Sequence, residues 1–362
     1  MTDTHLLIRA VRAPESLGAL APEDWDLLLR QARRATLHGR LGCDERVPRE
    51  RLPARIRRRL EADRTLAIYN ARVVRFEIDR IGQALAGLDA PVMLLKGGAY
   101  HAAGLANARG RLVNDVDIMV PREALEAAER ALVAHGWEAM TLEPYDQRYY
   151  RTWMHELPPL QHAERGTVVD VHHTILPPTA RLHPDPGLIW RAARPLVGPF
   201  LAPAPSDLVL HCAVHLFYDG DLALAFRDLV DLDGLMRHFA PEPGFWDGLV
   251  GRAEALDLAR PLFYALRYCR RLLDTPVPEA VVAAAAPHAP PAPALAAMDA
   301  LAPRALLPDH PDAPRRGTGL ALLLLYVRSH WLRMPPPLLA AHLGRKALAR
   351  LSPDPAKQAA AR

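Results

Sequence analysis

The sequence predicts an α+β protein: a small mixed-sheet core flanked by helical regions on its N-terminal and C-terminal sides. Three observations carry that prediction. Apolar residues recur at helical spacing over residues 1–88, short apolar runs alternate with helical segments over 89–200, and helical spacing returns over 201–352. Residues 353–362 are expected to form a disordered tail.

In the first region, Glu23, Asp24 and Asp26 place acids at a helix start before Leu27, Leu28 and Leu29. A second helix is expected to run to Leu88 through Leu60, Ile68, Val74, Ile78 and Leu85. Four arginines in 55–59 fit a solvated face of it, with a phosphate or nucleic-acid patch as the alternative. In the middle region, residues 91–95 form a short strand ended by Lys96-Gly97-Gly98, and 99–106 reads as a helix. Residues 116–120 form a second strand, and Pro121 opens a helix to His135. Strand-like pieces follow at 137–142, 153–162 and 167–175. Beyond Pro205, Ser206 or Asp207 is placed to cap a helix through Phe217. Helical segments follow near 221–239, 244–257, 259–274, 279–285, 293–301, 318–333 and 337–350.

Composition excludes several classes. The chain has 362 residues, 50% hydrophobic and 24% charged, with a mean hydropathy of -0.05. That is a globular composition with length for two or three compact units. The longest apolar run, 320–327, falls far short of the roughly 20 residues of a membrane span. The first residues show no charged and then apolar pattern of a secretory leader. Cys43, Cys212 and Cys269 are too few and too far apart for a disulfide framework or a zinc pattern. A formal charge of +4 with 6% aromatics makes no electrostatic case for nucleic acid. A cytoplasmic protein without a membrane partner is expected. Proline is frequent, at 35 residues, and only three of the 45 basic residues are lysine, Lys96 among them.

The chemistry concentrates in the middle region. In Asn114-Asp115-Val116-Asp117-Ile118-Met119-Val120, strand alternation puts Asp115 and Asp117 side by side on one face. Two adjacent carboxylates repel, and keeping both charged calls for a cation between them. Magnesium suits such a pair, because it takes one or two carboxylates and completes its octahedron with water and phosphate oxygens. The plain alternative is a polar strand end. Upstream, Lys96-Gly97-Gly98 forms a strand-to-helix turn where glycines allow close approach, free amides face an anion such as a triphosphate, and Lys96 adds a charge. Without a ligand it is an ordinary tight turn. Downstream, Asp170 and His172 alternate with Val169 and Val171, supplying a third carboxylate and an imidazole placed to meet phosphate or acceptor. Three such carboxylates can hold two magnesium ions.

Lys96-Gly97, Arg111 with Asn114–Val120, and Asp170-Val171-His172 together resemble the uncharacterised bacterial nucleotidyltransferase-like family of the polymerase-β superfamily. Its members read Leu-Lys-Gly, then Arg-Pro-x-x-Asp-Ile-Asp-Leu-Leu-Val, then Asp/Glu-Leu-His. The resemblance extends more weakly through His211-x-x-x-His215 and Phe226-Arg227-Asp228-Leu229-Val230-Asp231, covering residues 85–273. Two departures are visible: no serine follows the turn glycines, and Arg111 precedes Leu112 where the family has proline. The resemblance implies a polymerase-β-type core and transfer of a nucleoside monophosphate from a nucleoside triphosphate to an acceptor hydroxyl. It makes Asp115, Asp117 and Asp170 the catalytic, metal-binding carboxylates for two magnesium ions, with manganese able to substitute. Lys96, Gly97, Gly98, Arg111 and His172 would bind the nucleotide. The acceptor would be a small molecule, peptide or protein rather than nucleic acid.

His211 and His215 share a helical face, which fits core histidines or, with Arg227, the wall of an acceptor or nucleotide pocket. The spacing of Arg227 and Asp231 permits an i, i+4 ion pair. Trp153, His155, Tyr149 and Tyr150 suggest an aromatic wall. Two other functions compete. A catalytically degenerate nucleotide-binding or accessory protein would account for the missing serine. A metal-dependent Asp-x-Asp glycosyltransferase would account for Asp115 and Asp117 but leaves Lys96 and Asp170 unused.

Overall fold

The computed structural model describes residues 5–140, 153–196, 198–218, 222, 224–311, 313–335 and 339. Tyr149, Tyr150, the helix expected at 337–350 (apart from Leu339) and the tail after 352 lie outside these residues. The first helices are α1 (Leu6–Arg12), α2 (Pro22–Arg34), α3 (His38–Cys43) and the long α4 (Ala54–Ala84). Along α4 the apolar residues Ile56, Leu60, Ala67, Val74, Ile78 and Ile81 are buried, while Arg55, Arg57, Arg58 and Arg59 face solvent. That division is what helical periodicity imposes on an amphipathic segment.

Seven strands then build one mixed sheet. They are β1 (Val92–Leu94), β2 (Asp115–Met119), β3 (Trp137–Ala139), β4 (Leu160–His162), β5 (Val168–His172), β6 (Arg194–Pro195) and β7 (Phe200–Ala202). Their spatial order is β3-β4-β5-β2-β1-β7-β6. Strands β2 and β5 run parallel at its centre, as do β1 and β7, and the other neighbours are antiparallel. Helix α5 (Lys96–Ala102) follows β1, and α6 (Leu125–Ala134) joins β2 to β3. Met93, Leu94, Ile118, Met119, Val169 and Val171 are essentially inaccessible, so the middle of the sheet is the core of the molecule.

Three sequence expectations change here. The strand expected over 153–162 survives only at Leu160–His162, because Pro158 and Pro159 offer no backbone N–H to a ladder. Strands β6 and β7 were not anticipated; two and three residues around Gly198 carry no readable period. They extend the sheet beside β1, and α7 (Pro186–Ala192) precedes them. The helix expected at 99–106 starts at Lys96 and ends at Ala102, since Gly104 turns the chain with φ 65°.

The remaining elements are α8 (Pro205–Tyr218), α9 (Ala225–Phe239), α10 (Phe245–Ala255), α11 (Ala259–Leu273), α12 (Glu279–Ala285), α13 (Ala292–Leu306) and α14 (Thr318–Arg333). Neither expected cap of α8 is in capping position. Proline at the first position starts the helix, and Asp207 is instead buried in a two-pronged pair with Arg252 at 2.7 Å for each contact. The apolar stretch 320–327 lies within α14, and no helix among the described residues is long and apolar enough to cross a membrane. All three cysteines are buried and free.

One buried ion cluster ties these regions together. Asp231 of α9, 1% exposed, accepts from Arg111 Nε at 2.8 Å and from Arg40 of α3. The i, i+4 pair expected between Arg227 and Asp231 therefore does not form. Long-range packing delivers two guanidinium groups to Asp231, and Arg227 turns to its neighbour Asp228 at 3.1 Å. Replacing Asp231 with Ala removes the carboxylate that both Arg111 and Arg40 bond. We expect a loss of about 3–5 kcal/mol, read as a lower urea midpoint at unchanged slope.

Candidate functional site

Parallel pairing of β2 and β5 sets Asp117 opposite Asp170, Asp115 opposite Val168 and Met119 opposite His172. Residues opposite one another share a face, and so do residues two apart on a strand. Asp115, Asp117, Asp170 and His172 therefore occupy one face, while Val116, Ile118, Val169 and Val171 occupy the other. The alternation of aspartate and aliphatic residues in both strands dictates this outcome.

Lys96 enters from the end of β1, where Leu95 N–H donates to the Asp117 carbonyl at 2.9 Å. Its ammonium reaches the Asp117 side chain, Nζ to Oδ1 at 2.8 Å. Lys96 adopts φ 42°, in the left-handed region where a non-glycine residue costs about 1–3 kcal/mol. A lysine held where glycine would be unstrained marks a position kept for its side chain. His172 Nε2 lies 3.1 Å from the same Asp117 Oδ1, and His172 Nδ1 lies 3.4 Å from Glu156 Oε2.

Charge is unevenly satisfied on this face. Burial works against ionised Asp117, but the Lys96 ammonium and the His172 ring outweigh it and hold its carboxyl well below the usual range. Asp170 has no such partner. Burial first, then Asp117 and Glu156, pushes its carboxyl up to about 7, and its Oδ1 is buried without a hydrogen bond. Asp115, at the solvent-exposed lip, is also raised, by partial desolvation and by Asp117; the charges of Lys96, Arg111 and Arg227 oppose this without cancelling it. An orphaned carboxylate oxygen among crowded acids is what a site built for added positive charge looks like. All three side chains offer the hard oxygen donors that magnesium-type ions take.

The other expected residues divide. His211 of α8 is buried and packed close enough for the charges of Lys96 and His172 to reach it. Burial, then Lys96 and His215, drives its imidazole well below the ordinary range, so it is neutral. His215 pairs with Asp228 at 3.2 Å, beside Arg227. Arg111 turns away from the carboxylates toward Asp231 and props the turn from behind. A Cβ on Gly97 would stand 2.3 Å from Arg111 Nη1 and 2.7 Å from Val113 Cγ2. Close approach at Gly97 is thus made by the protein's own side chains, whereas Gly98 has only ordinary contacts.

Sequence reasoning missed Glu156 and underrated His155. Glu156 bridges to His172 in antiparallel fashion, a pairing that leaves no period in residues 153–157. The adjacent His155-Glu156 pair was the only available signal.

Fold and face together define a helix-flanked mixed-sheet protein with a carboxylate centre and neighbouring cationic side chains. Residues 21–274 match the model of the uncharacterised nucleotidyltransferase family, and the chain belongs to that family. At the coarse level this family supports a transferase of the nucleotidyltransferase kind. No curated protein and no solved structure matches it.

The raised Asp170 carboxyl gives a pH signature. The folded protein keeps that proton to about 7, whereas an unfolded chain releases it near about 4. Folding therefore takes up a proton in between, and this contribution to stability is lost as pH rises through that window. Asp170→Asn removes the loss. In metal-free buffer its melting temperature should gain on the parent by about 5 °C between acidic and mildly alkaline conditions. Calorimetry at both ends checks it.

Proposed function

We propose that this protein transfers a nucleoside monophosphate from a nucleoside triphosphate to an acceptor hydroxyl, releasing pyrophosphate in a magnesium-dependent reaction. The observation that carries the proposal is the convergence of Asp115, Asp117 and Asp170 on one face, with Asp170 Oδ1 unpartnered. These three side chains would hold the ions. When bound, magnesium supplies neutralising charge to the triphosphate and acidifies the acceptor hydroxyl.

The rest of the work falls to the chain. Lys96 neutralises Asp117 in the resting state and is the cation nearest the centre for a phosphate oxygen; moving to it frees Asp117 for an ion. His172 keeps Asp117 oriented through Nε2. Neutral His211 offers a hydrogen bond without adding charge, and His215 with Arg227 forms the wall toward the helical side. The acceptor oxygen bonds to the α-phosphorus as the bond to the pyrophosphate oxygen breaks, and the hydroxyl proton leaves to solvent.

A second reading has its own support. Lys96 already satisfies Asp117, Arg111 fills the space at Gly97, and no serine follows the turn, which favours a nucleotide-binding protein without catalysis. Asp→Asn at 115, 117 and 170, one at a time, separates the two. We expect each to abolish transfer from radiolabelled nucleoside triphosphates in magnesium. Melting temperature in chelator holds or rises for Asp115→Asn and Asp170→Asn as repulsion is relieved, and falls for Asp117→Asn, which takes the carboxylate from Lys96 and His172. Variants that are destabilised yet fully active per folded molecule refute the mechanism. Binding of triphosphate without any transfer by the parent protein, across all nucleotides and acceptors tried, selects the second reading.

Lys96 is tested apart from chemistry. Lys96→Ala and Lys96→Gly should each weaken triphosphate binding by about 1.5–3 kcal/mol, measured by calorimetric titration. The glycine variant relieves the left-handed backbone, so equal losses in the two assign the effect to the ammonium.

A further inference from the structure

Glu156 and His155 have no task in nucleotidyl transfer, yet they stand against its centre. Backbone pairing fixes them there. Glu156 bridges to His172, Leu157 N–H donates to the Val171 carbonyl at 2.9 Å, and His173 N–H donates to the His155 carbonyl at 2.9 Å. Glu156 Oε2 then lies 3.4 Å from His172 Nδ1 and 3.9 Å from His155 Nε2. One donor atom from each of the three residues falls within 4.8 Å of the other two.

The cluster is short of a partner. His172 is 1% exposed, and its Nδ1 is buried without a hydrogen bond, the Glu156 contact being poorly aligned. Its other nitrogen, Nε2, is engaged with Asp117 at 3.1 Å. Once a cation displaces the proton that Glu156 favours at Nδ1, an imidazole giving its Nε2–H to Asp117 offers the Nδ1 lone pair to the ion. Histidines that ligate metals are oriented in this way.

We propose that His155, Glu156 and His172 bind a zinc-class divalent cation, at a site separate from the oxygen-only set of Asp115, Asp117 and Asp170. Two imidazoles and one carboxylate form a donor set that zinc and its neighbours prefer and magnesium does not. Tetrahedral bonds of about 2.0–2.1 Å set ligand atoms roughly 3.4 Å apart. The His172–Glu156 separation already meets that spacing, and His155, 3.9 Å from Glu156 and within 4.8 Å of His172, closes on the ion by side-chain rotation. Three protein ligands leave a fourth position open to water or to a substrate oxygen. His172 joins the two centres, ligating at Nδ1 and donating to Asp117 through Nε2.

The test uses the metal-free full-length chain and no nucleotide, so its outcome is independent of the transferase reading. Titration with Co2+ is expected to give one visible tetrahedral absorption band per chain, displaced by Zn2+ and insensitive to excess Mg2+. His155→Ala and Glu156→Gln should each weaken Co2+ binding by at least about tenfold without lowering the melting temperature in chelator. Asp115→Asn should leave the band in place. Absence of a band overturns the proposal and leaves His172 as a charged bridge between Asp117 and Glu156. A band lost in Asp115→Asn but kept in His155→Ala also overturns it, by placing the ion among the aspartates.

Discussion

Parallel, in-register pairing of β2 and β5 brings Asp117 and Asp170 face to face, and the surrounding structure is organised around the repulsion this creates. Two carboxylates cannot both stay charged in a poorly solvated recess unless positive charge joins them. The chain bonds that charge directly to one of them only. Lys96 and His172 both converge on Asp117 Oδ1, while Asp170 Oδ1 has no partner. Asp117 is thereby held ionised and Asp170 is pushed toward its neutral form. The asymmetry is a consequence of topology. Lys96 arrives from β1, which neighbours β2 and not β5.

The position of Lys96 depends in turn on a cluster some distance from the carboxylates. Arg111 packs into the space that a side chain at position 97 would need, and Arg111 is itself anchored by Asp231 of α9. Arg40 of α3 meets the same carboxylate. The strained turn is therefore braced by the N-terminal and C-terminal helices at once. This explains why a protein whose candidate chemistry fits within a few strands carries so much helix: the helices hold a left-handed lysine and a buried arginine in place. Buried ion clusters are poor sources of stability but costly to break, so they enforce one arrangement of the pieces they join.

The face that carries the candidate site was legible because its information is local. Alternation along Asp115-Val116-Asp117 and Asp170-Val171-His172 determines which side chains share a side of each strand, whatever the rest of the chain does. The same holds for the buried stripe of α4 and for the glycine turn after β1. Strands β6 and β7 were not legible, since two or three residues carry no period, and 153–157 looked like strand although Pro158 and Pro159 forbid most of the ladder.

Choice of partner was decided only by the tertiary structure. Spacing allowed Arg227 to pair with Asp231, but folding brought Arg111 and Arg40 to Asp231 and left Arg227 with Asp228. Gly97 read as an opening for a ligand, and its space went to Arg111. Glu156 was marked only by its adjacency to His155, and an antiparallel bridge then set it beside His172. By itself the sequence determined strand faces, helix stripes and the residue types able to hold cations, because backbone geometry over a few residues sets them. Register, ion-pair partners and the meeting of His155, Glu156 and His172 depend on packing between distant segments, which no local period records.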